Sequence, residues 1–185
     1  MKQDGPCEIW VVFCHDAVRV HREKEVAVKA KEGVVDLLNK LLTEELTVIN
    51  QYFLHAKMCK NWGYDRLHHH VLERSCGEMK DAQTVIDHIL YLEGLPNMQR
   101  LGTVKIGETV PEQLKADLDK ERAMVKMLTQ GIQHCVKVGD FTTRHLLEDM
   151  AKDEEKHIDW IETQLETIGQ VGLQNYLSEQ IKADS

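Results

Sequence analysis

Between residues 34 and 61 the apolar side chains Leu38, Leu42, Ile49, Tyr52 and Ala56 recur in steps of three, four or seven, the spacing that lines one face of an α-helix. Gly63 supplies the stop. A second helical pattern over 65–93 runs through Leu67, Val71, Val85, Ile89 and Leu92 and ends at Gly94. Helices of about 28 residues span roughly 42 Å at about 1.5 Å per residue, and the short turn between these two makes them antiparallel. The pattern breaks over 95–109, where Pro96, Asn97, Gly102 and Gly107 fall. Extended at about 3.3 Å per residue, this link reaches roughly 50 Å, enough to travel the length of the pair. Thr109-Val110-Pro111-Glu112 matches a capping box with proline in the first turn. It opens a third helix through Leu114, Leu118, Val125, Leu128, Ile132 and Val136. After Gly139, Asp140 caps a fourth helix with the apolar face Leu147, Met150, Ile158, Ile161, Leu165 and Ile168. Gly169 and Gly172 end it, leaving a short amphipathic segment over 173–181.

Two antiparallel helix pairs joined by one long connection predict an all-α fold: a ferritin-like four-helix bundle with a long crossover between the second and third helices and a short fifth C-terminal helix. Composition agrees. The chain has 185 residues, 42% hydrophobic and 29% charged, enough for one substantial core, and only three prolines interrupt it. With 23 Lys+Arg against 31 Asp+Glu the formal charge is −8, which argues against a nucleic-acid binder and favours attraction of cations. No apolar run is long enough for a membrane span or a secretory leader, so a cytoplasmic protein without a membrane partner is expected. Five cysteines (Cys7, Cys14, Cys59, Cys76 and Cys135) form an odd, scattered set without a C-x-x-C pair, as in a reduced protein whose thiols are structural.

The chemistry lies in gaps of the apolar stripes. Glu45 sits between Leu42 and Ile49, Glu78 between Val71 and Val85, Glu121 between Leu118 and Val125, and Glu154 between Met150 and Ile158. The interval from Glu45 to Glu78 is 33 residues, and so is that from Glu121 to Glu154; three residues beyond the second glutamate of each half come Asp81 and His157. The halves read as quasi-twofold copies. One such glutamate alone would be a solvated neighbour with a snorkelling stem, and His157 alone a satisfied core histidine. Four in register are different, because a buried carboxylate costs several kcal/mol unless paired or metal-bound. No lysine or arginine is expected on these stripes at the same level. A glutamate from each of two helices with Glu-x-x-His from the others is the di-iron carboxylate pattern, here Glu45, Glu78, Asp81, Glu121, Glu154 and His157. His68, His69 and His70 run around the helix and read as surface residues.

Residues 45–55 (ELTVINQYFLH), Asn61-Trp62-Gly63, residues 92–97 (LEGLPN), residues 153–160 (DEEKHIDW) and residues 172–177 (GLQNYL) give the chain a resemblance to bacterioferritin, without a gap from residue 28 to the C-terminus, 158 residues. The resemblance implies a hollow 24-subunit shell that oxidises Fe(II) with O2 or H2O2 at an intra-subunit site holding two irons, stores a ferric mineral, and holds haem b between subunit pairs. It implies Glu45, Glu78, Glu121, Glu154 and His157 as iron ligands, with Glu78 and Glu154 bridging, and Met79 as the haem ligand. Met79 follows Glu78 and so turns about 100° around the helix, out of the bundle, where a twofold partner presents its own methionine. The plain alternative is a methionine in a dimer contact.

The sequence departs from the family at Asp81, where members have histidine. Five carboxylates, −5 against the +4 of two Fe(II), favour ferric iron and unequal metal binding. Glu73 and Gly77 stand where some members have a histidine and an aspartate for an inner-surface iron, so that relay is in question. The runner-up function is therefore a haem-carrying, ferroxidase-impaired subunit in shells mixed with a second bacterioferritin chain; a small ferredoxin would return electrons for iron release. Two further readings are a rubrerythrin-like peroxidase, which would bring a C-x-x-C pair, and a metal-free bundle, for which only His157 could neutralise the glutamates. Residues 1–27 have no family counterpart, and Val28-Lys29 falls where members begin with Met-Lys. Valine is the internal reading of GUG, a codon that also initiates in bacteria, so the expected start is residue 28 and the expected domain 28–185; the rival is a genuine appendage.

Overall fold

A computed structural model describes residues 29–182. The expectation about residues 1–27, with Cys7 and Cys14, lies outside the described residues. Five helices follow in order: α1 (Val34–Asn61), α2 (Asp65–Tyr91), α3 (Val110–Val138), α4 (Phe141–Val171) and α5 (Leu173–Gln180). The predicted boundaries hold within two residues, except that α4 runs through Gly169 and stops at Gly172. Thr109 and Glu112 form the capping box of α3, and the Asp140 side chain accepts from Thr143 N–H to cap α4. These contacts satisfy amide groups that a helix start leaves without partners.

The helices pack as α1 on α2 and α3 on α4, with α1 on α3 joining the pairs. One apolar cluster fills one end of the bundle around Leu38, Leu42, Val85, Leu128 and Leu147. A second, around Cys59, Leu67, Leu114, Ile161 and Tyr176, fills the other and seats α5. The Tyr176 hydroxyl donates to Gln164 Oε1 at 3.0 Å. On α3 the inner face keeps Leu114, Leu118 and Leu128 but departs from expectation beside them: Val136 is 54% exposed, and Met124, Gly131 and Cys135 point inward. A Cβ on Gly131 would stand 2.9 Å from Leu147 Cδ1, so α3 and α4 approach through the missing side chain.

The crossover does travel the bundle, and α1 guides it. Asn39 Oδ1 accepts from Asn97 N–H (2.7 Å), Thr47 Oγ1 from Gly102 N–H (2.7 Å), Gln51 Oε1 from Lys105 N–H (2.9 Å) and His55 Nε2 from Gly107 N–H (3.2 Å). His55 Nδ1 and Gln51 Nε2 in turn donate to Asp117 of α3, at 3.0 and 2.7 Å. These contacts, which give the buried Thr47, Gln51, His55 and Asp117 their partners, latch the link to α1 and α1 to α3. Among the described residues no helix is long and apolar enough to cross a membrane.

Candidate metal centre

Each of the four long helices delivers one glutamate to the level between the two apolar clusters, because the interval of 33 residues returns each pair to the same height on antiparallel helices. Glu45, Glu78, Glu121 and Glu154 are all fully or almost fully buried, and His157 is buried beside them. Their ligand atoms form two groups, each within 4.8 Å: Glu78, Glu121 and His157, and Glu45, Glu78 and Glu154. Glu78 belongs to both. The Tyr52 hydroxyl donates to Glu121 Oε1, which also lies 2.7 Å from His157 Nδ1, and the Tyr52 and His157 rings meet edge to face.

Arg74 corrects the reading of the sequence. It stands one turn before Glu78, its side chain is 15% exposed, and it reaches into the cluster. Nε lies 2.5 Å from Glu78 Oε1 and 3.9 Å from Glu121 Oε1, and Nη2 donates to Glu154 Oε2. The Nε to Glu78 contact is ionic, at an angle that makes no hydrogen bond. A basic residue does occupy the level expected to hold none; its place four residues before Glu78 is the signal that would have found it.

Asp81 joins neither group of ligand atoms. It is half-buried on an open groove with His88, Tyr91, His145 and Asp153. Burial raises its carboxyl above the ordinary range, Arg74 opposes, and Asp153 adds to the rise. Its charge is felt by Glu45 and Glu154. Met79 is half-buried at the edge of the first apolar cluster, and Glu73 is exposed. The histidine run is not a surface feature throughout: His68 is buried with Nδ1 3.0 Å from Ala56 O, and His70 stacks on Trp160 at 3.7 Å between ring centres.

The electrostatics are those of a carboxylate cluster short of positive charge. Glu45 is pushed well above the ordinary carboxylate range by burial, then by the charge of Glu154. Glu78 rises through burial and its neighbours Glu154 and Glu45, against Arg74. Glu154 is pushed up to about 10 by burial and by Glu121, again against Arg74. Burial and the Arg74 charge drive His157 down to about 3, leaving a neutral imidazole with a lone pair to offer. The carboxyl oxygens of Glu45 and Glu78 have no hydrogen-bond partner, and of the two carboxyls Glu78 alone is met by the Arg74 guanidinium. Orphaned buried oxygens, four carboxyls and one imidazole make a donor set suited to first-row divalent metals such as Fe(II).

The ferritin-like domain family matches residues 35–171. The chain is 48% identical over 143 residues, 77% of its own length and 90% of the relative's, to the bacterioferritin of Mycobacterium leprae. It is 43% identical over 145 residues to that of Streptomyces coelicolor, covering 78% and 87% of the two chains. With that of Brucella melitensis it shares 37% over 148 residues, 80% and 92%.

Proposed function

Since the chain belongs to the ferritin family and within it to the bacterioferritins, we propose that it stores and detoxifies iron, taking Fe(II) as substrate at the four-glutamate centre and depositing the ferric product inside a 24-subunit shell. The observation that carries this reading is the Glu45 carboxyl, both of whose oxygens are buried without a hydrogen-bond partner beside three further buried glutamates. Oxidation of two Fe(II) releases two electrons, which with two protons reduce O2 to H2O2, or H2O2 to two waters. Glu45, Glu78, Glu121 and Glu154 would hold the Fe(II) through their carboxylates and His157 through its imidazole nitrogen. Tyr52 holds Glu121 in place through its hydroxyl, and the apolar clusters on either side keep water out.

Met79 would hold haem b between two subunits through its thioether: the side chain lies at the edge of the core and is half-buried. Haem, when bound, supplies one-electron transfer. Shell assembly is supported by Leu90, Tyr91, Leu95, Met98, Leu101 and Ile106, which are large, apolar and exposed along the end of α2 and the crossover. A cytoplasmic shell drawing electrons from a small ferredoxin for iron release completes the reading.

One observation favours the second reading, a haem-carrying, ferroxidase-impaired subunit working in mixed shells with another bacterioferritin chain. Arg74 takes up the bridging glutamates while Asp81 stays out of the ligand groups. Stopped-flow oxidation of Fe(II) by homopolymers separates the two. A rate well above autoxidation supports the first; a rate no faster than autoxidation, restored by Asp81→His, rejects it in favour of the second.

A further inference from the structure

Among the described residues, the cationic side chain seated against the four glutamates is Arg74. Nε lies 2.5 Å from Glu78 Oε1 and 3.9 Å from Glu121 Oε1, and Nη2 donates to Glu154 Oε2. Each group of ligand atoms contains a carboxylate that this guanidinium holds, Glu78 in one and both Glu78 and Glu154 in the other. Arg74 therefore opposes metal entry to the centre as a whole. Two turns further along α2, on the same face, comes Asp81. It is half-buried, belongs to neither group of ligand atoms, and lines an open groove together with Asp153. The Arg74 charge already reaches it and works against the rise that burial causes.

We propose, on the basis of the Fe(II) reading of the centre, that Arg74 is a movable counter-ion, seated on Glu78 and Glu154 while the centre is empty and passed to Asp81 when divalent ions enter. Asp81 is then the landing place of the arginine and not a metal ligand. An oxygen turned to a guanidinium is not free to bind a metal, and a fixed positive charge beside a divalent ion in a buried site repels it. Arginine cannot relieve that repulsion by losing its proton, so the head group has to move. Moving breaks contacts with two buried carboxylates, a loss that a new carboxylate partner offsets. Asp81 lies within reach: seven residues rise about 10.5 Å along a helix, a gap that the long arginine and the aspartate close between them. The Arg74 side chain is 15% exposed, so one edge already meets solvent and a change of rotamer is enough. Charge agrees as well. The five ionised carboxylates carry −5 and Arg74 +1, which leaves −4, the amount that two divalent ions cancel. Once Arg74 and Asp81 pair, the four glutamates face the metals alone. A neutral histidine at position 81 would give the displaced arginine no anion to meet.

The test uses the full-length assembled protein and Zn(II), which has the charge of Fe(II) without its redox chemistry. A crystal soaked in Zn(II) is expected to show ions among the four glutamates and His157, with the Arg74 guanidinium off Glu78 and Glu154 and hydrogen-bonded to Asp81. Calorimetry on a mutant cycle reads the coupling. Arg74→Gln should bind Zn(II) at least about tenfold more tightly than the native protein, and Asp81→Asn at least about tenfold more weakly. Made in the Arg74→Gln background, Asp81→Asn should weaken binding less than about threefold, because no displaced cation remains to be received. Arg74 still on Glu78 and Glu154 beside bound ions, Arg74 moved to a place other than Asp81, or Asp81 among the metal ligands overturns the proposal. So does Zn(II) binding by Arg74→Gln no tighter than native, or an equal loss from Asp81→Asn in both backgrounds. Zn(II) uptake by neither the native protein nor Arg74→Gln overturns the metal-centre reading itself. If Arg74→Gln fails to assemble, the soaked crystal and the single Asp81→Asn variant decide.

Discussion

At the scale of single residues, the centre is held together by groups that oppose one another. Glu154 is the clearest case, its carboxyl raised from the ordinary value of 4.5 to about 10 by burial and by Glu121, with Arg74 pulling the other way. A carboxyl whose folded value exceeds its unfolded value stabilises the fold fully below the unfolded value and withdraws that support as pH rises toward the folded one. The metal-stripped protein should therefore melt lower at pH 8.5 than at pH 5.5, by at least about 2–4 °C, the shift per kcal/mol typical at this chain length. Thermal melts in chelator check this. Glu154→Gln should flatten the slope, and excess Zn(II) should abolish or reverse it, because a bound cation favours the ionised carboxylates. A slope of opposite sign would mean that the cluster is ionised and compensated without metal. Cys59, by contrast, is inert: burial pushes its thiol up to about 12, and Sγ donates to Gln113 Oε1.

At the scale of elements, the crossover shows how a segment without regular structure gains a fixed path. Gly107 is its tightest point, because a Cβ there would stand 2.3 Å from the backbone nitrogen of Gln113, and no side-chain movement relieves a clash with backbone. Gly107→Ala should destabilise the fold by about 1–3 kcal/mol, as overpacking does, and loosen the His55 to Asp117 contact beneath it. Thr109→Ala, which removes one arm of the α3 capping box, should cost about 1 kcal/mol. Urea denaturation followed by circular dichroism measures both; equal effects at the two positions would show that the clash is relieved by local adjustment. The length of this crossover and the caps on either side were legible from Pro96, Gly107 and the Thr109 to Glu112 spacing. Its latch was not. Asn39, Thr47, Gln51 and His55 recur at intervals of eight and four and so share a face, but a polar stripe on a helix reads as solvent-facing until another segment is known to lie across it.

For the whole molecule, large apolar side chains remain uncovered in the single chain, with Leu95 83% exposed on the crossover. Large apolar side chains exposed on the end of α2 and on the crossover suit a contact between copies. Leu101→Glu combined with Ile106→Glu should leave helix content unchanged and shift sedimentation from a large assembly to small species. Unchanged sedimentation would remove the crossover from the list of contact surfaces.

The sequence by itself determined the five helices, their order and the four inward glutamates. Those depend on a period of 3.6 residues and a repeat of 33, both local properties of the chain. It also marked Asp81 as the departure at the centre. Only the tertiary structure decided that Arg74 enters the cluster, that Asp81 stays outside the ligand groups, that Val136 turns outward and that His68 turns inward. A helical pattern gives the direction in which a side chain leaves its own helix. Where a long guanidinium comes to rest, or which of two neighbouring faces is covered, depends on the helix packed opposite, and that is a fact of the folded chain alone.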